Sequence, residues 1–186
     1  MPAELGSFVR AQEAAPFTYG QVGATAAEMP PGWDQDEQWV ALGQGEEVWT
    51  RARAALDRWT PFDLGWVEPI TYEAPIREGE LFGFVSSHFG VYSVNVCRVA
   101  YVLEDRGDTH HRYGFAHGTV GAHAIRGEEC FLLEWDRATD EVRFGIRKFS
   151  RVRHWLLRLL GPLTRRVQDR FTRDALDRMR REVTGG

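Results

Sequence analysis

The sequence predicts an α+β fold in which an antiparallel β-sheet of six to seven strands wraps a long C-terminal helix, with another helix before the meander. Three observations predict it. Short β-type runs separated by turn residues recur from Gly65 to Phe149, the order of a meander and not of alternating βα units. An apolar stripe of helical period runs through the C-terminal segment, and a second covers residues 46–59.

The first helix is EEVWTRARAALDRW, which sets Val48, Ala52, Ala55, Leu56 and Trp59 on one face before Thr60-Pro61 ends it. Upstream, MPPGWD at 29–34 reads as a loop and FTYGQV at 17–22 as a short first strand. The meander strands are expected at 65–73, 79–88, 95–104, 111–120, 128–136 and 141–149, punctuated by Gly107, Gly121, Gly127 and the ATDE turn. In the last segment Leu156, Leu159, Leu160, Leu163, Val167, Phe171, Ala175, Leu176, Met179 and Val183 share one stripe, with arginines opposite. Gly161-Pro162 interrupts it. A short helix should end near Leu160 and a long one start at Pro162, where the missing N–H costs nothing.

The length of 186 residues suits one domain over 1–186, with 1–15 as its candidate loose segment. No apolar run approaches the roughly 20 residues of a membrane span, and MPAELGSFVRAQEAA lacks the order of a secretory signal. A cytoplasmic protein is expected. Cys97 and Cys130 fit no disulfide framework or zinc spacing and read as buried free thiols. Arg outnumbers Lys 22 to 1, the mark of a GC-rich, bacterial genome more than of a binding surface. Residues 147–181 hold 12 basic against 3 acidic side chains, whereas residues 1–146 hold 11 against 23. The basic tail should therefore lie against the acidic remainder of its own domain. No nucleic-acid motif accompanies the charge, so nucleic acid is not an expected partner.

Alternation along the strands fixes which side chains share a face. If the loop 121–127 closes symmetrically, His117 pairs with Phe131, Phe115 with Leu133 and Tyr113 with Trp135; across the next turn Phe131 faces Ile146, Leu133 faces Phe144 and Trp135 faces Val142. That face is apolar, while the opposite one collects Glu128, Glu134, Glu141, Arg143 and Arg147. Carrying the pairing across 105–110 sets Arg98 beside His117 and Val96 beside Thr119. Arg98, His117, Thr119, Glu129 and Lys148 then gather at one end of the concave face, with Phe115 on its wall and Tyr19 either in the core or in the pocket. The bland reading of the same cluster is an internal Arg98–Glu129 ion pair at the sheet edge.

The stretch GFAHGTVGAHAIRGEECF, with YGQVGAT at Tyr19 to Thr25, CRVAYV at Cys97 to Val102 and FSRVRHWLLRLLGPLTRRVQDRF at Phe149 to Phe171, resembles domain-of-unknown-function family nineteen-ninety. The likeness runs from about Phe17 to Met179. The family's Tyr and Gly-Ala-Thr are matched by Tyr19 and Gly23-Ala24-Thr25, its Gly-Thr before a His by Gly118, Thr119 and His123, its Gly-Glu by Gly127 and Glu128, and its Ser-Arg by Ser150 and Arg151. An aromatic common before the Gly-Thr is replaced by His117, which favours a pocket-lining role for this side chain; Val152 stands where a Pro commonly follows Ser-Arg. The family implies no established activity. The element order is also similar to the START, Bet v 1 and polyketide-cyclase-like helix-grip superfamily, which implies a cavity between sheet and helix.

His117 and His123 with a carboxylate lack a metal-site spacing, and the strand-to-loop transition should hold them apart, so no metal is expected. There is no GxSxG elbow and no Walker or dinucleotide glycine pattern, and both cysteines fall on the convex face in this register. No catalytic residue or cofactor is assigned. The leading expectation is a protein binding a small hydrophobic or amphipathic molecule, with an anionic group near Arg98. The alternatives are a cyclase- or dehydratase-like or hydrolytic enzyme in the same cavity, and an interaction protein using the basic helix on anionic partners.

Overall fold

A computed structural model describes residues 3–70, 74–88, 90–121, 123, 125–152 and 161–185. The chain runs α1 (Ala3–Arg10), β1 (Asp34–Gln44), α2 (Gly45–Asp57), β2 (Val67–Pro69), β3 (Leu81–His88), β4 (Val91–Arg106), β5 (His110–Thr119), β6 (Ile125–Asp136), β7 (Glu141–Val152) and α3 (Gly161–Thr184). The seven strands form one antiparallel sheet in the order β1-β7-β6-β5-β4-β3-β2. This is the predicted α+β helix-grip arrangement. The helix expected to end near Leu160 lies outside the described residues.

The seventh strand is not the expected one. FTYGQV contributes only a bridge between Phe17 and Val120, and the strand is instead DQDEQWVALGQ, paired along β7. Its polar first half lacks β-branched residues. Pairing with a long central neighbour overrides that weak local preference. The N-terminal segment read as a candidate loose end is helical over Ala3–Arg10, with Val9 buried against Ile70, Val96 and Val120.

α2 buries Trp49, Ala52, Ala55 and Leu56 and carries Glu46 and Glu47 in its first turn, where carboxylates complement the helix dipole. Beyond it, Trp59 is 1% exposed at the centre of an aromatic cluster, its ring 4.4 Å from Phe82 and 5.1 Å from Phe115. α3 lays Ala175, Met179 and Val183 on the same core. Its arginines meet acidic groups of the remaining chain, Arg165 with Asp34 and Arg178 with Asp63, as the charge division suggested.

Registers decide what reaches the concave face. β6 and β7 pair as expected, Phe131 opposite Ile146 and Trp135 opposite Val142. β5 and β6 are displaced by two residues, so His117 faces Glu129 and Phe115 faces Phe131. A two-residue displacement keeps every side chain on its face. Between β4 and β5 the turn closes with Arg106 opposite His111, and a bulge at Ala100 adds one unpaired residue between Val99, opposite His117, and Tyr101, opposite Ala116. That single residue inverts the face of everything before it. Cys97 thus turns inward opposite Thr119, and Arg98, expected beside His117, turns outward opposite Gly118.

Candidate ligand cavity

Between the concave face and α3, at the end away from α2, lies a cavity of about 170 Å³. Trp66, Phe84 and Phe171 supply aromatic wall, and Ser86, Asn95, Cys97, His117, Thr119, His123, Glu129, Lys148 and Gln168 supply polar atoms. Four expected site residues, His117, Thr119, Glu129 and Lys148, therefore line one space. Three do not. Phe115 is fully buried in the core between Trp59 and Phe131. Arg98 lies on the opposite face, donating to the carbonyls of Ala15 at 2.8 Å and Glu13 at 2.6 Å, where it fastens the end of α1 and the turn after it. Tyr19 lies on that face too.

His117 is 6% exposed and packed among rings, stacked on Phe131 at 5.5 Å and edge-on to Phe82 at 5.1 Å. Its Nε2 is 3.4 Å from Glu129 Oε2, off the line of a hydrogen bond, so among the described residues neither ring nitrogen has a hydrogen-bond partner. Lys148 is differently placed. Its ammonium donates to Thr172 Oγ1 and to Gln168 O at 3.3 Å, and stands 3.5 Å from Asp36 Oδ2, so its charge is directed to α3 and β1.

His123, expected to stand apart in the turn, lines the same cavity as His117. Its Nδ1 accepts the Ile125 N–H at 3.1 Å, and burial, aided by nearby His117, holds the imidazole down at about 4. Among the described residues no three His, Cys, Asp or Glu side chains are grouped to hold an ion. Cys97 also belongs to the cavity, contrary to its expected convex position, but burial and the Glu129 charge push its thiol well up. It is a protonated thiol at neutral pH, and Cys130 is likewise free and buried.

On the convex side, the residues that carried the family resemblance converge on one carboxylate. Glu128, 2% exposed, accepts from Tyr19 Oη at 2.8 Å, Gly23 N at 2.7 Å, Thr25 N at 2.9 Å and Thr25 Oγ1 at 2.6 Å. Thr119 Oγ1 accepts the Gly127 N–H from the adjacent strand, and Arg147 donates to Thr25 O. These motifs buckle residues 17–27 across the sheet. Sequence alone gives no sign that Tyr19 and Thr25 share one acceptor; the inward position of Ser86 is legible in the alternation of Phe82, Phe84 and Ser86 along β3, and that of Asn95 is not.

The chain is 36% identical over 185 residues to a UPF0548 protein of Deinococcus radiodurans, covering 92% of this chain and 90% of that one. It is 34% identical over 166 residues to a UPF0548 protein of Dictyostelium discoideum, covering 84% and 77%. Among solved structures it is similar in fold to human STARD10, with a TM-score of 0.55 at 10% identity over 99% of this chain and 80% of that one. The inward-curving sheet, its long closing helix and the Tyr19, Gly-Ala-Thr and Gly-Glu buckle thus occur in a chain that belongs to the family described as Domain of unknown function (DUF1990), whose model matches residues 18–178.

Proposed function

We propose that this protein binds a small amphipathic molecule between its sheet and α3. The observation that carries the reading is a cavity of about 170 Å³ with two inward polar side chains, His117 and Glu129, that make no hydrogen bond to any described residue. Apolar cavities of roughly 150 Å³ hold a benzene-sized guest, so the space suits a compact ligand of about one ring. Polar groups placed without partners in an apolar wall are the usual means of fixing a ligand's orientation.

The test is native mass spectrometry of protein taken directly from its own cells, beside a Val167→Trp variant that fills the cavity from α3. A copurified small molecule on the wild type and none on the variant is the expected result. Ligand-free wild-type protein whose thermal stability the substitution raises would instead indicate a void to be filled by protein. A second reading, proton transfer on the bound molecule, is favoured by the 3.4 Å approach of His117 to Glu129. It requires turnover that Glu129→Gln abolishes while ligand still binds.

A further inference from the structure

The polar end of the cavity presents negative charge, and we infer that the ligand it selects is a small organic cation, an amine with an aromatic or alkyl body. This rests on the reading of the cavity as a ligand site and gives that ligand its chemistry. Glu129 is the centre of the argument. Its side chain is 15% exposed, it lines the cavity, and it has no arginine, lysine or hydrogen-bond donor within reach among the described residues apart from His117 at 3.4 Å.

Among the described residues, the lysine, arginine and histidines nearest in the register leave its charge unpaired. Lys148 is the only lysine in the chain and its β7 position is directly opposite Glu129. Its ammonium nevertheless turns to Thr172, Gln168 and Asp36. Arg98 is on the other face of β4 with its guanidinium on the carbonyls that follow α1. His123 is neutral near pH 7. His117 offers Glu129 one ring nitrogen at poor angle, and its other nitrogen meets no acceptor among the described residues. A carboxylate in an apolar wall without a partner is costly, and a guest that brings the opposite charge removes that cost.

The walls suit the same guest. Trp66, Phe84 and Phe171 border the space, and ring faces attract ammonium groups as well as apolar surface. Ser86 Oγ and Asn95, which bond to each other at 3.2 Å, lie on the β3–β4 side, where a second N–H of an amine could be accepted. The anionic head group expected from Arg98 is thus replaced by one of opposite sign, because the bulge at Ala100 takes the arginine out of the cavity and leaves the glutamate in it.

The experiment uses three probes of one ring and similar size that differ in charge, benzylamine, benzyl alcohol and benzoate, titrated calorimetrically into the whole protein at pH 7. Benzylamine is expected to bind roughly tenfold or more tightly than benzyl alcohol, the usual return of one charge-assisted hydrogen bond, with no measurable binding of benzoate. Glu129→Gln should bring benzylamine down to the level of the alcohol. Equal affinity for amine and alcohol in the wild type, or preference for benzoate, overturns the inference while leaving a ligand cavity in place. Failure of all three probes to bind overturns the cavity reading and this inference together. Should Glu129→Gln not fold, the ratio of amine to alcohol in the wild type decides alone.

Discussion

The Tyr19 hydroxyl donates to Glu128 Oε2 at 2.8 Å from a ring that lies directly over Gly118, where an added Cβ would sit 2.0 Å from the phenol oxygen. One carboxylate and one bare backbone position therefore seat the Tyr19 ring on the sheet, while Arg147 holds the carbonyls of Thr25 and Ala27. The Gly-Thr and Gly-Glu motifs are the two halves of that seat.

Glu128→Ala is expected to be the most damaging single change outside the core. It strands four donors in a buried site, two of them backbone N–H groups, and should cost about 3 kcal/mol or more, read as a lowered urea midpoint. Tyr19→Phe removes one hydrogen bond to a charged acceptor and should cost about 1.5–3 kcal/mol. An alanine variant as stable as wild type would mean the buckle contributes nothing to folding.

Gly118→Ala should destabilise by roughly 1–3 kcal/mol through overpacking against the Tyr19 ring. Combined with Tyr19→Leu, which removes the hydroxyl and shortens the side chain, the two losses should be less than additive. A double-mutant cycle with no coupling would place the clash elsewhere.

Arg98→Met should loosen the N-terminal segment and leave the cavity alone, because its guanidinium bonds to Ala15 and Glu13 and faces away from His117. Faster proteolysis within residues 3–16 with unchanged ligand affinity is the expected pair of outcomes. A large fall in affinity for any cavity ligand would return Arg98 to the site.

His123 predicts a pH dependence whose sign can be worked out. Its folded value of about 4 lies below the unbound 6.5, so between them the unfolded chain carries more protons. Stability from this group is complete above about pH 6.5 and is lost as pH falls toward 4, by on the order of 2 kcal/mol after allowance for its partial exposure. His123→Asn, which keeps an acceptor for the Ile125 N–H, should flatten the stability profile between pH 4 and 6.5. An unchanged profile would show that another group titrates there.

The sequence by itself determined the order and kind of most elements. Helical spacing in EEVWTRARAALDRW and in the stripe from Val167 to Val183 matches α2 and α3, and alternation with turn residues located β3 to β7. It also determined that His117 and Thr119 look toward the helix, since side chains alternate and a two-residue displacement such as that between β5 and β6 leaves faces unchanged. β1 was hidden because DQDEQ has little strand preference of its own and is held by pairing with β7. Tertiary structure alone decided that Glu129, not Phe131, is the direct cross-strand partner of His117, that Cys97 enters the cavity and that Arg98 leaves it. A bulge of one residue at Ala100 depends on how two distant strands twist against each other, and in a pattern of period two one residue is enough to exchange the inside for the outside.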